Sequence, residues 1–199
     1  MKITAITVET FTYPSWKVND SEGHTHPGPE HTAHQSILSI HTADGITGRC
    51  LGGIPDSVLK DLVNPLLVGE DPLYRERIWQ SLKERQRLNL GRLHDRILAV
   101  VDMALWDLAG HAAGMPVYQL LGAKRDSVPA YASTMCGDDL PGGLESPEAY
   151  ANYARVCMER GYPAFKLHTW QPPVSGAPDT DADIAACRAV REAVGPGVP

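Results

Sequence analysis

Two ionisable side chains, Lys166 and His168, stand two positions apart in the run Ala164-Phe165-Lys166-Leu167-His168. Alternate residues of an extended strand face opposite ways, so Phe165 and Leu167 make an apolar side while Lys166 and His168 share the other. A lysine and a histidine held on one face can move protons. Lys166 serves as a base near neutral pH once desolvation, a neighbouring cation or a divalent metal lowers its pKa, and His168 supplies part of that environment. A strand-end pair that reaches only solvent is the competing reading.

A second group of candidates lies in residues 14–34, where His24, His26, His31 and His34 stand among glycine, proline and acidic residues. We read this segment as a long loop of the kind that closes over a site and lends Trp16, His24 or His26 to a substrate. A purely solvated loop is the alternative. The His24-x-His26 spacing suits a transition metal, but no cysteine accompanies it. Asp138 and Asp139 follow an expected strand and read as solvated turn residues. Asp102 and Asp107, on an expected helix, read as structural carboxylates with partners.

The elements that must position these groups follow from pattern. Residues 3–13 alternate, with Ile6 and Val8 facing one way and Thr7 and Glu9 the other, which predicts a strand. Residues 36–41 and 46–51 form two more, joined by Ala43-Asp44-Gly45, whose Asp-Gly suits a tight hairpin turn. Asp71-Pro72 reads as an N-cap and first helical residue, with Leu73, Ile78 and Leu82 on the helix that follows. Residues 93–113 carry Ile97, Val100, Val101, Ala104, Leu105 and Leu108 on one broad face and stop at Gly114. A short helical turn over 116–121 is closed by Gly122.

From Ser127 the order becomes strand, helix, strand, helix. Residues 128–133 and 164–168 are the strands. Ser146-Pro147 caps a helix bearing Tyr150, Tyr153, Ala154 and Cys157, and Thr180 with Asp183 resembles a capping box for a helix over 181–194. Two such units predict parallel strands covered by helices, yet two parallel strands cannot bury both faces alone. A closed barrel needs eight strand units and typically about 250 residues, so the chain is expected to belong to a longer one. Lys166 and His168 would then sit at the C-terminal rim, where barrels place catalytic groups, and Lys166 is the leading candidate.

The whole chain, 199 residues and 43% hydrophobic, is long and apolar enough to fold. Its net charge of −6 is spread without a basic stripe, which argues against nucleic acid. No run of about 18 apolar residues and no signal-peptide pattern occurs, so we expect a cytoplasmic protein with no membrane partner. Cys50, Cys136, Cys157 and Cys187 lack C-x-x-C spacing and read as small core residues.

These residues together form a familiar pattern. Thr42-Ala43-Asp44-Gly45-Ile46-Thr47-Gly48, Ala104-Leu105-Trp106-Asp107-Leu108-Ala109-Gly110, Pro116-Val117-Tyr118-Gln119-Leu120-Leu121-Gly122 and Lys166-x-His168 make the chain resemble the N-terminal half of an enolase-superfamily enzyme of the mandelate racemase and muconate lactonizing group. The resemblance implies an α/β protein with an α+β capping domain, residues 1–124, and, over 125–199, the beginning of a (β/α)7β modified TIM barrel, truncated after about two βα units. It also implies a Mg²⁺ ion and a reaction that begins by removing the proton α to a carboxylate, the metal stabilising the enediolate. Members of the racemase type usually carry Lys-x-Lys, with the second lysine as base, where this chain has Lys166-x-His168. His168 is then the counterpart of that base, and Lys166 positions the carboxylate or lowers its neighbour's pKa. The family's three carboxylate metal ligands and its His-Asp pair come from later strands. The resemblance therefore places no metal ligand within 1–199, makes the chain inactive by itself, and implies a homo-oligomer.

The leading expectation is dehydration of an acid sugar, since a polar, His-rich lid suits a hydroxylated small-molecule carboxylate. The runner-up is a racemase or epimerase, or a cycloisomerase of the same superfamily. A reading from another class is a non-catalytic metal-binding or interaction module built on His24 and His26. A doubly wound nucleotide-binding domain is disfavoured because no G-x-G-x-x-G follows any expected strand.

Overall fold

The computed structural model describes residues 1–199 except 20, 22, 24, 90, 135–142 and 171–175. Three strands open the chain: β1 (Ile3–Asn19), β2 (Thr25–Thr42) and β3 (Thr47–Leu51), hydrogen-bonded in the order β1-β2-β3. β2 and β3 run antiparallel, with Leu38 opposite Cys50 and Ile40 opposite Gly48. Between them Gly45 turns at φ 79°, and Thr42 ties the turn through its N–H and its hydroxyl, both donated to the Ile46 carbonyl. The expected Asp-Gly hairpin is present.

One face of this sheet is apolar and the other polar. Ile3, Ile6, Leu38 and Ile40 are buried. On the opposite face Thr7 Oγ1 lies 2.9 Å from His41 Nε2, and further along the two strands Thr10 Oγ1 lies 2.8 Å from Ser36 Oγ. Cross-strand pairs of this kind keep the solvent side of a sheet in register.

The expected loop over 14–34 is not there. β1 continues to Asn19 and β2 begins at Thr25, so most of that segment is strand. Thr25 Oγ1 donates to Asn19 Oδ1 at 2.9 Å. A methyl at Gly28 would meet Val18 Cγ1 at 2.7 Å, so glycine lets the two arms lie close. Apolar alternation marks a strand only where one face is buried, and Tyr13, Trp16 and Val18 of β1 are all exposed. The arms are held by main-chain pairing, which leaves no pattern in the residue types.

A helical run follows that the residue pattern alone does not announce: α1 (Asp56–Val58), a π turn over Leu59–Val63, and α2 (Asn64–Leu67). Val58, Leu59, Leu62, Val63 and Leu67 are buried. Pro65 stands inside it and would clash with the carbonyl four residues back in a regular α-helix, whereas the wider π turn just before it accommodates the ring. α3 (Arg75–Arg87) begins later than expected. Asp71 Oδ1 accepts from the Leu73 N–H at 3.0 Å and its carbonyl from the Tyr74 N–H, making Asp71-Pro72 a turn before the helix and leaving Leu73 exposed.

α4 (Asp95–Ala113) is the centre of the first core, and all six residues of its expected apolar face are buried. Gly114 ends it in the left-handed region at φ 65°. β3 packs directly on α4. A Cβ at Gly48 would come within 2.5 Å of Leu108 Cβ and 2.6 Å of its nitrogen, and closer still to the Ala104 carbonyl. Beside it, the Arg49 N–H donates to Asp107 Oδ2 at 2.8 Å. Asp107 thus has the structural partner expected of it, on the edge strand of the sheet. Asp102 differs: burial raises its carboxyl pKa, opposed by the Arg75 guanidinium. α5 (Val117–Leu120) completes this half, with Pro116 as N-cap and Gly122 at φ 81° beyond it.

The second half pairs β4 (Ala132–Ser133) with β5 (Phe165–Lys166) in parallel, Ala132 opposite Phe165. Both strands are shorter than expected from the sequence. α6 (Pro147–Glu159) and α7 (Thr180–Val194) pack together over Tyr150, Ala154, Ala186 and Val190. Ser146 caps α6 as expected, its Oγ accepting from the Ala149 N–H at 3.1 Å, while Tyr153 is partly exposed. The cap of α7 is Asp179, whose Oδ1 accepts from the N–H groups of Asp181 and Ala182, and not the Thr180–Asp183 pair. Cys157 is buried and Cys50 half-buried, but Cys187 is exposed and not a core residue.

By its contacts the chain divides into two compact units, Met1–Tyr13 with Ala33–Asp126 and Pro14–Thr32 with Ser127–Pro199. The outer part of the first hairpin therefore groups with the β4–β5 half.

Replacing Gly48 by alanine should cost about 3 kcal/mol or more, because backbone and not a flexible side chain occupies the space. Asp107→Ala should cost about 1–2 kcal/mol by stranding the Arg49 N–H. Urea unfolding of both variants checks these values. For Asp102 the folded state holds its proton more tightly than the unfolded state. Its contribution is therefore greatest at acid pH and is lost as pH rises through the raised value. Asp102→Asn should gain stability relative to the parent between about pH 4 and 7, by less than about 1 kcal/mol given its partial exposure. Denaturation midpoints of the pair across that range provide the measurement.

Candidate functional site

β5 presents its residues as alternation requires. Phe165 and Leu167 pack against the cluster of Tyr150, Ala154, Ala186 and Val190 beneath α6 and α7. Lys166 is exposed and His168 half-buried. A cavity of about 610 Å³ is lined by Phe165, Leu167, Ile184, Cys187 and Val194, on the helix-covered side of β5. Asp183, Arg188, Arg191 and Glu192 also line it, whereas Lys166 and His168 do not.

The strand ladder is short but its geometry is firm. The Ala132 N–H donates to the Ala164 carbonyl at 3.0 Å and the Thr134 N–H to the Lys166 carbonyl at 3.1 Å. On the other side of β5 the Phe165 N–H donates to the Pro199 carbonyl at 3.1 Å. Two residues past the ladder, side chains take over. The His168 N–H donates to Thr134 Oγ1 at 2.7 Å, and the His168 carbonyl accepts from the Tyr150 hydroxyl at 2.7 Å and from Thr134 Oγ1 at 3.3 Å. Trp170 Nε1 donates to the Leu144 carbonyl at 2.7 Å, and its ring meets that of Tyr150 edge-on at 5.1 Å. The main chain that carries His168 is thereby held from both sides.

Of the other expected site residues, Trp16 lies on β1 and is 54% exposed. The backbone of His26 belongs to β2. Both fall in the part of the hairpin that groups with the β4–β5 half. His24, Asp138 and Asp139 lie outside the described residues. His31 donates from Nδ1 to the Pro29 carbonyl at 3.1 Å. Among the described residues no three His, Cys, Asp or Glu side chains gather to hold a metal ion, and no helix is long and apolar enough to cross a membrane. Thr134 and Tyr150 are additions that residue type alone did not mark, since each reads as an ordinary strand or helix residue.

An antiparallel sheet packed on a long helix, followed by parallel strand–helix units with ionisable groups at a strand end, defines the N-terminal part of a capped α/β barrel protein. Residues 7–122 match the family described as the mandelate racemase / muconate lactonizing enzyme N-terminal domain, and the chain belongs to that family.

Comparison with individual proteins agrees. The solved structure of D-glucarate dehydratase from Agrobacterium tumefaciens complexed with magnesium superposes on all of this chain with a TM-score of 0.89 at 49% identity, this chain covering 52% of it. A D-galactonate dehydratase family member of Pseudarthrobacter chlorophenolicus is 39% identical over 144 residues, 69% of this chain and 33% of that protein. A D-mannonate dehydratase of Novosphingobium aromaticivorans is 37% identical over 147 residues, 70% of this chain and 35% of its own length. The chain thus spans about half of the solved dehydratase and about a third of these curated relatives.

The cap of α6 bears on the site because that helix carries Tyr150. Ser146→Ala should cost about 1 kcal/mol, measurable by urea unfolding, with Ser146→Asn retaining most of it.

Proposed function

We propose that the full-length protein dehydrates an acid sugar, with His168 as the base that removes the proton α to the carboxylate and Lys166 as the cation that orients the carboxylate. Residues 1–124 are then the cap and 125–199 the opening of the barrel. What supports this reading is that Lys166 on β5 and His168 just beyond it alternate with the helix-packed Phe165 and Leu167, in a chain that superposes over its length on half of a D-glucarate dehydratase at 49% identity. The names of the relatives favour a hydroxylated carboxylate as substrate.

The steps assigned to this chain are positioning and proton transfer. The Lys166 ammonium pairs with the substrate carboxylate, which orients the α-carbon. A ring nitrogen of His168 takes the α-proton as the C–H bond breaks, and its electron pair passes into the carboxylate as an enediolate. The enediolate electron pair then forms the carbon–carbon double bond as the β-hydroxyl leaves, that oxygen taking the proton now held on His168 to depart as water, and the remaining enol tautomerises to a 2-keto acid. Among the described residues no set of His, Cys, Asp or Glu side chains gathers to hold magnesium. Trp16, His24 and His26 are proposed to contact the substrate's hydroxyl groups.

Incubating the full-length protein with Mg²⁺ and a panel of acid sugars in D₂O should yield a keto acid from at least one. His168→Ala and Lys166→Ala should each lower that rate by about 10²-fold or more. Deuterium uptake with inverted configuration and no keto acid would move the assignment to an epimerase. Full activity in both variants would remove these residues from the site.

A further inference from the structure

The parallel ladder between β4 and β5 ends in an unusual way, and the residue where it changes is His168. Continued in the same register, the His168 N–H would go to a main-chain carbonyl of the neighbouring strand. It goes instead to the hydroxyl of Thr134, at 2.7 Å. That hydroxyl is also 3.3 Å from the His168 carbonyl, which accepts the Tyr150 hydroxyl at 2.7 Å as well. Three side-chain hydrogen bonds thus converge on the main chain of one residue.

The donors are set in packed surroundings. Thr134 is 6% exposed and Tyr150 fully buried, and the Tyr150 ring is fixed edge-on against Trp170. Buried hydroxyl groups are costly without partners, and valine or phenylalanine would fill the same space with apolar atoms. What the hydroxyls add is a fixed position for the backbone just beyond a two-residue strand, where main-chain pairing alone would let it fray.

We propose that Thr134 and Tyr150 are positioning residues for His168, clamping its main chain so that the imidazole is held at the substrate's α-carbon. The proposal rests on the reading of His168 as the base. Neither hydroxyl needs to touch substrate. Each acts by removing freedom from the residue that does, and a displacement of about 1 Å in such a group costs roughly 10²-fold in rate.

The test uses the full-length protein and the substrate identified in the acid-sugar panel. Tyr150→Phe keeps the ring packed on Trp170 and removes only the hydroxyl; Thr134→Val removes the other. Each should lower kcat by about ten- to a hundredfold with KM within about twofold, and shift the pH dependence of kcat, because the base is misplaced while substrate contacts remain. Thr134→Ser, which restores the hydroxyl, should recover kcat to within about threefold of the parent. Should Thr134→Val fail to fold, Tyr150→Phe carries the test alone. An inactive His168→Ala beside unchanged kcat in both hydroxyl variants would overturn the positioning role and leave the base assignment standing. A fully active His168→Ala would overturn the base assignment, and this proposal with it. Raised KM at unchanged kcat would also overturn it, by making the hydroxyls substrate-binding groups.

Discussion

The first half of the chain depends on how closely β3 approaches α4. At Gly48 the strand backbone lies against the Ala104 carbonyl and Leu108, with no room for even a methyl group. That approach brings the neighbouring Arg49 N–H within 2.8 Å of Asp107, so an edge-strand donor is satisfied by a helix carboxylate. The sheet then buries Ile3, Ile6, Leu38 and Ile40 against the apolar face of α4. A side chain at position 48 would push the layers apart, and both the packing and the hydrogen bond would be lost together. This explains why two segments far apart in sequence, one around Gly48 and one around Asp107, form part of the same recognisable pattern.

The second half works by a different division of labour. Two short parallel strands offer little pairing, and their apolar residues are held by α6 and α7. Alternation along β5 then separates the packed side, Phe165 and Leu167, from the side bearing Lys166 and His168. Packed apolar residues and ionisable ones thus alternate along one segment. The side-chain bonds to His168 extend order past the point where the ladder stops, and they link α6, through Tyr150, to the strand end. Helix capping, core packing and the placement of an ionisable group are in this way connected through a single tyrosine.

Much of this was legible in the residue pattern where one face of an element is buried. The α4 face, the Asp-Gly turn, the Ser146 cap and the Gly114 stop all carry local signals with a direct physical meaning. The long arms of the first hairpin did not, because exposed strands held by backbone bonds impose no alternation. The helical run over Asp56–Leu67 was hidden by Pro65, which reads as a breaker unless a π turn precedes it. The start of α3 and the cap of α7 were each displaced by an aspartate, Asp71 or Asp179, whose side chain bonds the backbone two residues on.

The amino-acid sequence by itself determined the order of elements outside the Asp56–Leu67 run, the family pattern, and the alternation that sets Lys166 and His168 apart from Phe165 and Leu167, since period and turn chemistry are local properties. Only the tertiary structure decided that Thr134 and Tyr150 hold His168, that Asp107 serves β3, and that the hairpin end groups with the β4–β5 half. Those facts depend on which distant residues meet, and a hydroxyl finds its partner only after packing has excluded water and brought residues 134, 150 and 168 together.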